Sequence, residues 1–284
     1  MKKAISLLLI SSFSLMLIGQ APFPSKEEIE LFSKSKTFVV LEDDPLADFN
    51  FFIKDAMKEY WKITPYDFMN VSDFNVRKIS SSNSFIVLTQ TNYEKDKSNS
   101  VYNFINLLLG KDVDKLGEMP EICAVPLSFA GEVEAEYGYK LGAILSFMQK
   151  HAQLIMEDPS KTGRKYLKYY NENIPAAMDK TILVLKEDLS PEINTPEKIK
   201  AIYSNKVEIV TEDEIKEAID NKTPNTLILH KVAPVGENVR EGYCFKMLIG
   251  TDDANMYYYN LHSIDKKNPN GFLASDLKRL ARFD

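Results

Sequence analysis

Along the chain, short runs of β-branched and apolar residues alternate with amphipathic stretches, and the succession occurs twice. Lys36-Thr37-Phe38-Val39-Val40-Leu41 is echoed roughly 140 residues later by Lys180-Thr181-Ile182-Leu183-Val184-Leu185, a spacing far longer than a solenoid repeat. Both runs have the composition of a buried strand. Each enters an acidic loop, Glu42-Asp43-Asp44-Pro45 in the first case and Glu187-Asp188-Leu189-Ser190-Pro191 in the second.

A helix is predicted next in each copy. Phe49, Phe52, Ile53, Ala56, Met57 and Tyr60 recur at three- and four-residue spacing, and the shorter counterpart starts at Thr195-Pro196 and carries Ile199, Ile202 and Tyr203. The extended segments Ile63 to Val71 and Val207 to Val210 then lead to hydroxyl residues, Ser72 and Thr211, that cap short helices. Thr211-Glu212-Asp213-Glu214 has the form of a capping box.

The correspondence continues through the strands Asn83 to Leu88 and Asn225 to Leu229, then Phe104 to Gly110 and Cys244 to Gly250, then Ile122 to Leu127 and Met256 to Leu261. A terminal helix closes each copy, lined by Leu141, Ile144, Leu145 and Met148 in one and by Leu273, Leu277 and Leu280 in the other. The predicted fold class is α/β (α+β), with two tandem similar domains, each a mixed β-sheet flanked by helices. The first repeat spans 30–156, a linker helix 157–179 packs between the units with Tyr166, Leu167 and Tyr170 on one face, and the second repeat spans 180–284.

The start of the chain reads as an address. Lys2 and Lys3 precede an apolar stretch from Ala4 to Ile18, and Gly19-Gln20-Ala21 places small residues where a signal peptidase inspects them. The expectation is a signal peptide over 1–21, cleaved after Ala21, with no lipobox cysteine beside the cut and no anchoring segment afterwards. The expected location is therefore periplasmic or secreted, with the mature chain not integral to a membrane.

The chain carries 35 basic and 41 acidic residues, a formal charge of −6, so nothing electrostatic draws it to nucleic acid. The two cysteines, Cys123 and Cys244, sit in apolar runs, and an oxidising compartment leaves open whether they pair. No HExxH, CxxC, GxSxG or glycine-rich phosphate loop occurs, and none of His151, His230 and His262 has metal-ligand spacing to another His, Cys or acid. No catalytic residue and no cofactor is assigned, which argues against an enzyme.

The segment Thr37 to Phe74, with "VVLEDDPLADF" followed by a helix and then "YDFMNVSDF", resembles the N-terminal α/β domain of TolB and related periplasmic domains of curli-secretion and lipoprotein-cofactor type. The resemblance covers about one quarter of each copy. It implies a periplasmic protein-interaction module without catalysis. Those families usually carry an Asn-rich loop after the first strand, where this chain has Asp43-Asp44-Pro45.

Two constellations could carry a ligand. Tyr166, Tyr170, Tyr257 and Tyr259 can offer aromatic faces to a peptide or a sugar, although along a strand alternate tyrosines turn to opposite faces. Asp43 and Asp44, with Glu187 and Asp188 in the second copy, could donate oxygens to Mg²⁺ or Ca²⁺, the alternative being ordinary turn chemistry before proline. The expected function is an exported, non-enzymatic binding or envelope-assembly component acting through contacts with another envelope protein or its own copy. The alternatives are a metal-dependent hydrolase using Asp43 and Asp44, or an exported carbohydrate-binding protein.

Overall fold

The protein is described as a computed structural model over residues 21–93, 96, 98–130, 134–162, 169–236 and 239–283. Residues 1–20 of the expected leader, together with Tyr166 and Leu167, lie outside the described residues.

The apolar runs form two five-stranded sheets that follow the same path. In the first, β1 (Lys36–Val40) lies between β2 (Tyr66–Met69) and β3 (Asn83–Asn92), with β4 (Val101–Leu109) and β5 (Glu121–Phe129) beyond, in the order β2-β1-β3-β4-β5. In the second, β6 (Thr181–Val184), β7 (Val207–Ile209), β8 (Thr226–Val232), β9 (Tyr243–Gly250) and β10 (Met256–Ser263) take the order β7-β6-β8-β9-β10. The first strand of each copy is parallel to both its neighbours, and the remaining pairs are antiparallel. Even the register repeats, Thr37 opposing Ser84 as Thr181 opposes Thr226. The fold is α/β, two similar units each built on a mixed sheet with helices.

Parallel neighbours require crossovers, and helices supply them. In the first unit these are α2 (Asp48–Tyr60) and α3 (Val71–Arg77), preceded by α1 (Lys26–Phe32) and followed by α4 (Leu141–Glu157). In the second they are α5 (Pro196–Lys200) and α6 (Glu212–Asp220), and α7 (Ala274–Leu280) closes the unit. Thr211 and Glu214 do form a capping box, at 2.8 and 3.3 Å. The expected cap at Ser72 moves two residues earlier: β2 ends at Met69, and the Asn70 side chain accepts from the Asp73 amide at 2.7 Å.

Helix α4 is the wedge between the units. Most of its circumference is buried, Leu141, Ala143, Ile144, Leu145, Phe147, Met148, Ala152 and Ile155 among them, and only a narrow stripe towards its end, Lys150, Gln153 and Glu157, is exposed. One apolar cluster runs from Val39, Ile86 and Leu107 of the first sheet through α2 and α4 into Leu183, Ile228, Met247 and Ile249 of the second sheet and Ile215 and Ile219 of α6. Gly142 is required at the closest approach, since a Cβ there would stand 2.6 Å from the Tyr60 ring. Tyr60 in turn donates to Asp220 at 2.6 Å, tying α2 to α6.

The outer faces of the sheets carry separate clusters, one under α3 with Phe38, Phe74 and Phe85, the other under α7 with Ile182, Tyr258 and Phe272. Of the linker helix expected over 157–179, residues 163–168 lie outside the described residues; Tyr169 and Tyr170 are helical, and 3-10 turns stand on either side at Pro159–Lys161 and Asn171–Ala177. Pro175 lacks the amide that an α-helical ladder needs there. The second turn covers β10, the edge of its sheet: the Asn171 carboxamide exchanges hydrogen bonds with the Tyr259 backbone at 3.1 and 2.9 Å, and Asn173 donates to Met256 O at 2.8 Å.

Because α4 belongs to both cores, the units should unfold together. Ile144→Ala, at a side chain with no exposed surface, is expected to cost about 2–5 kcal/mol. Urea titrations followed by Trp61 fluorescence, which reports the first unit, and by far-UV circular dichroism, which reports both, should shift together; two resolved transitions would show that the wedge does not couple them.

Candidate functional site

The end of α4, the 3-10 turn at Asn171–Ala177 and the start of β10 enclose an open cleft of about 210 Å³ at the junction of the units. Lys150 and Leu154 project into it one helical turn apart, facing Tyr169, Tyr170, Asn173, Asn255 and Tyr257. The walls are fixed. Tyr170, 4% exposed, shares a 2.5 Å hydrogen bond with His151 Nδ1. Tyr257, 5% exposed, donates to Asp253 Oδ2 at 2.5 Å, and Lys180 Nζ lies 5.0 Å from its ring centre. The accessible aromatic face is that of half-buried Tyr169, edge-on to Tyr170 at 5.6 Å and covered on one side by Lys161 Nζ at 4.1 Å.

Of the four tyrosines singled out from the sequence, two therefore line one cleft. Tyr259 is half-buried against the core with its backbone held by Asn171, and it does not line the cleft; Tyr166 lies outside the described residues. The expected alternation of Tyr257, Tyr258 and Tyr259 is interrupted. A bulge between Met256 and Tyr258 shifts the register, so Tyr257 and Tyr258 both pack into the second unit's cluster while Tyr259 joins the other. Lys150, Asn173 and Asn255 fall outside the sequence expectation, and of these only Lys150 leaves a sequence signal, its i, i+4 spacing with Leu154 on α4.

Beneath the cleft floor lies a set that superficially has catalytic chemistry: Glu121, Cys123 and His151, around a hollow closed by Phe23 and Pro24. Its electrostatics work against a thiolate–imidazolium pair. Burial holds His151 down at about 4, with a hydrogen bond to the Ile122 backbone opposing it in part, so the ring is neutral and Tyr170 donates to Nδ1. Burial, with Glu121 adding to it, pushes the Cys123 thiol up, the opposite of nucleophile activation. Burial also pushes the Glu121 carboxyl up to about 7. Cys123 and Cys244 are both free thiols and buried.

The acidic loops do not meet. Asp43 and Asp44 are exposed in the first unit. Asp44 Oδ1 accepts from Leu46 N at 2.9 Å, and the Asn50 carboxamide ties the loop through Glu42 N, Glu42 O and Asp44 O. In the second unit Glu187 is exposed, whereas Asp188 is buried between Lys231 at 3.1 Å and Lys140 at 3.6 Å. Burial raises the Asp188 carboxyl, but the two ammonium groups outweigh it and hold the group below its usual range. A divalent ion there would have to displace both lysines. Among the described residues no group of three or more His, Cys, Asp or Glu side chains could hold a metal, and no helix is long and apolar enough to cross a membrane.

The buried histidines set a pH dependence. His151 and His230, the latter bonded from β8 to Pro126 O of β5 at 2.8 Å, are both depressed by burial from 6.5 to about 4. Between these values the unfolded chain takes up protons that the folded chain refuses, so stability is full above 6.5 and falls as pH drops towards 4, by up to about 3 kcal/mol per histidine. Glu121 acts in the other sense: its contribution is full below 4.5 and is lost as pH rises through 7. Denaturant titrations from pH 8 to 4 should show the histidine loss on the acid side, with a shallower slope in His151→Gln and His230→Gln; slopes equal to the parent would refute it.

No protein-family model, no curated protein and no solved structure matches this chain.

Proposed function

We propose that the protein is an exported, non-enzymatic binding or envelope-assembly component that holds a segment of a partner protein in the junction cleft. The observation that carries this reading is the construction of the cleft. Its walls come from both units and are immobilised by Tyr170–His151 and Tyr257–Asp253 bonds, while the face of Tyr169 and the ammonium of Lys150 remain available. A rigid aromatic anchor beside a cation and carboxamides suits an extended peptide, because little side-chain order is lost on binding. The raised thiol of Cys123 and the neutral His151 speak for binding over nucleophilic chemistry. The likeness of Thr37 to Phe74 to TolB-type domains, and the Lys-rich, apolar, small-residue start of the chain, favour an envelope setting. The net charge of −6 favours a protein partner, another envelope protein or a second copy, over nucleic acid.

A second reading has one observation in its favour. A tyrosine ring flanked by Asn173 and Asn255 also fits a sugar.

Selection of peptides from a displayed random library against the chain beginning at Pro22 separates the two. Peptides whose affinity falls about tenfold in Tyr169→Ala, with the melting temperature unchanged, are expected. Binding indifferent to Tyr169→Ala and Lys150→Ala would overturn the cleft assignment, and Tyr169-dependent signal confined to a glycan array would install the second reading. Mass spectrometry of the envelope fraction should find a chain starting at Pro22; an intact chain in the cytoplasm would remove the envelope role.

A further inference from the structure

The lining of the junction cleft carries one formal charge, and it is positive. Lys150, exposed on α4, is the single ionised side chain beside Leu154, Tyr169, Asn173, Asn255 and Tyr257. Among the described residues no carboxylate pairs with its ammonium. The acids that border the cleft in sequence are engaged elsewhere. Asp253 accepts from Tyr257 Oη at 2.5 Å and from Asn255 N at 3.0 Å, and Lys180 Nζ lies 3.9 Å from Asp252 and 3.8 Å from Asp253. Glu157, two turns beyond Lys150 on the same exposed stripe, does not line the cleft. A second cation stands at the edge, Lys161 Nζ, 4.1 Å from the centre of the Tyr169 ring. In a chain whose formal charge is −6, this is a local reversal of sign, and a concave site of one sign concentrates the opposite charge.

The neighbouring groups narrow the class of anion. Lys150 and Leu154 are one helical turn apart, about 5–6 Å between their Cβ atoms, so a ligand that reaches the ammonium lays an apolar group on Leu154 and the Tyr169 ring. Asn173 gives its Nδ2 to Met256 O at 2.8 Å, which fixes the carboxamide and leaves its oxygen as an acceptor for an amide N–H. At about 210 Å³ the cleft is smaller than the roughly 300–1,000 Å³ of a drug-sized pocket, room for an anchoring residue more than for a length of chain. A carboxylate, an apolar side chain and an amide N–H within one residue's reach of each other are what a peptide offers. An inorganic anion would leave the apolar wall unused.

We propose that the junction cleft anchors its peptide through a carboxylate, with Lys150 as the pairing cation, Asn173 as the acceptor for an adjacent amide, and Tyr169 and Leu154 as the seat of an apolar side chain next to the acid. This rests on the reading of the cleft as a peptide site. The carboxylate can be that of a chain end or of an aspartate or glutamate side chain, and the pairing is a charge-assisted hydrogen bond in either case.

Calorimetric titration of the chain beginning at Pro22 with four peptides tests this: acetyl-Ala-Gly-Leu-Phe as the free acid and as its amide, and acetyl-Ala-Glu-Phe-Gly-amide with its Gln counterpart. At least one acid should bind fivefold or more tightly than its neutral twin. A preference in the first pair names a chain end as the source, and one in the second pair names an acidic side chain. Lys150→Gln, at an exposed position, should abolish the preference without moving the melting temperature, and Lys150→Arg should retain it. Raising the salt tenfold should shrink the preference in the parent and change nothing in Lys150→Gln. The carboxylate assignment is overturned if neither acid binds better than its twin or if Lys150→Gln keeps the preference. Tyr169→Ala should weaken acid and neutral peptides alike. Loss of affinity in Tyr169→Ala without any acid preference would leave the peptide site standing and remove its anionic anchor alone, whereas indifference of all four peptides to both Tyr169→Ala and Lys150→Gln would remove the site itself.

Discussion

The burial of α4 between the two sheets is the constraint from which the remaining architecture follows. A helix with Leu141, Ile144, Phe147, Met148 and Ile155 spread over most of its circumference, and only the stripe of Lys150, Gln153 and Glu157 exposed, cannot be covered by a single sheet. The second sheet supplies the other side through Met247, Ile249 and Ile228. Each unit on its own would expose a strip of apolar surface, so the two similar units are held at a fixed separation by a helix that belongs by sequence to the first and by packing to both.

The junction cleft is a consequence of that arrangement, opening where α4 runs out beside the turn at Asn171–Ala177. Side chains around it are locked from behind, Tyr170 by His151 of α4 and Tyr257 by Asp253 of the β9–β10 turn. Away from the cleft, Tyr102 of β4 exchanges hydrogen bonds with the Tyr243 backbone of β9 and so ties the two sheets together. Rigidity at these points comes from the cores and is available to any ligand without further ordering cost.

Much of the fold was legible because it is written twice. The strand runs at Lys36 and Lys180 and the paired Gly110 and Gly250 turns identify the strands without any pairing information, and the identical strand order of the two sheets agrees with that repetition. What escaped depends on contacts distant in sequence. The α4 stripe of Leu141, Ile144, Leu145 and Met148 predicts one buried face, whereas Ala143, Phe147 and Ala152 are buried as well, since the second covering sheet begins some twenty-five residues after the helix ends. Asn70 took the cap in place of Ser72 because the strand stops one residue before it, a boundary that propensity does not define. The bulge that carries Tyr257 and Tyr258 into one cluster leaves no mark in the run Tyr257-Tyr258-Tyr259.

The buried charges differ in how fully their surroundings satisfy them. Within the second unit, Lys246 and Asp276 are 0% and 1% exposed, and Asp276 is saturated by Lys246, Tyr258, Asn260 and the Leu273 amide. Such a network is tolerable in a core because every member is satisfied. Across the junction, Asp188 of the second unit faces Lys140 of the first at 3.6 Å, beyond hydrogen-bonding distance, and its Oδ2 has no hydrogen-bond partner among the described residues. The nearby His230 ring likewise reaches Pro126 across the junction through one nitrogen while its Nδ1 has no hydrogen-bond partner among the described residues. Unpartnered buried polar atoms among the described residues occur both where the units join and inside the second unit, at Ser190 Oγ, His262 Nδ1 and Asn270 Oδ1. At the junction, apolar packing on α4 offsets the cost of the unpartnered atoms of Asp188 and His230.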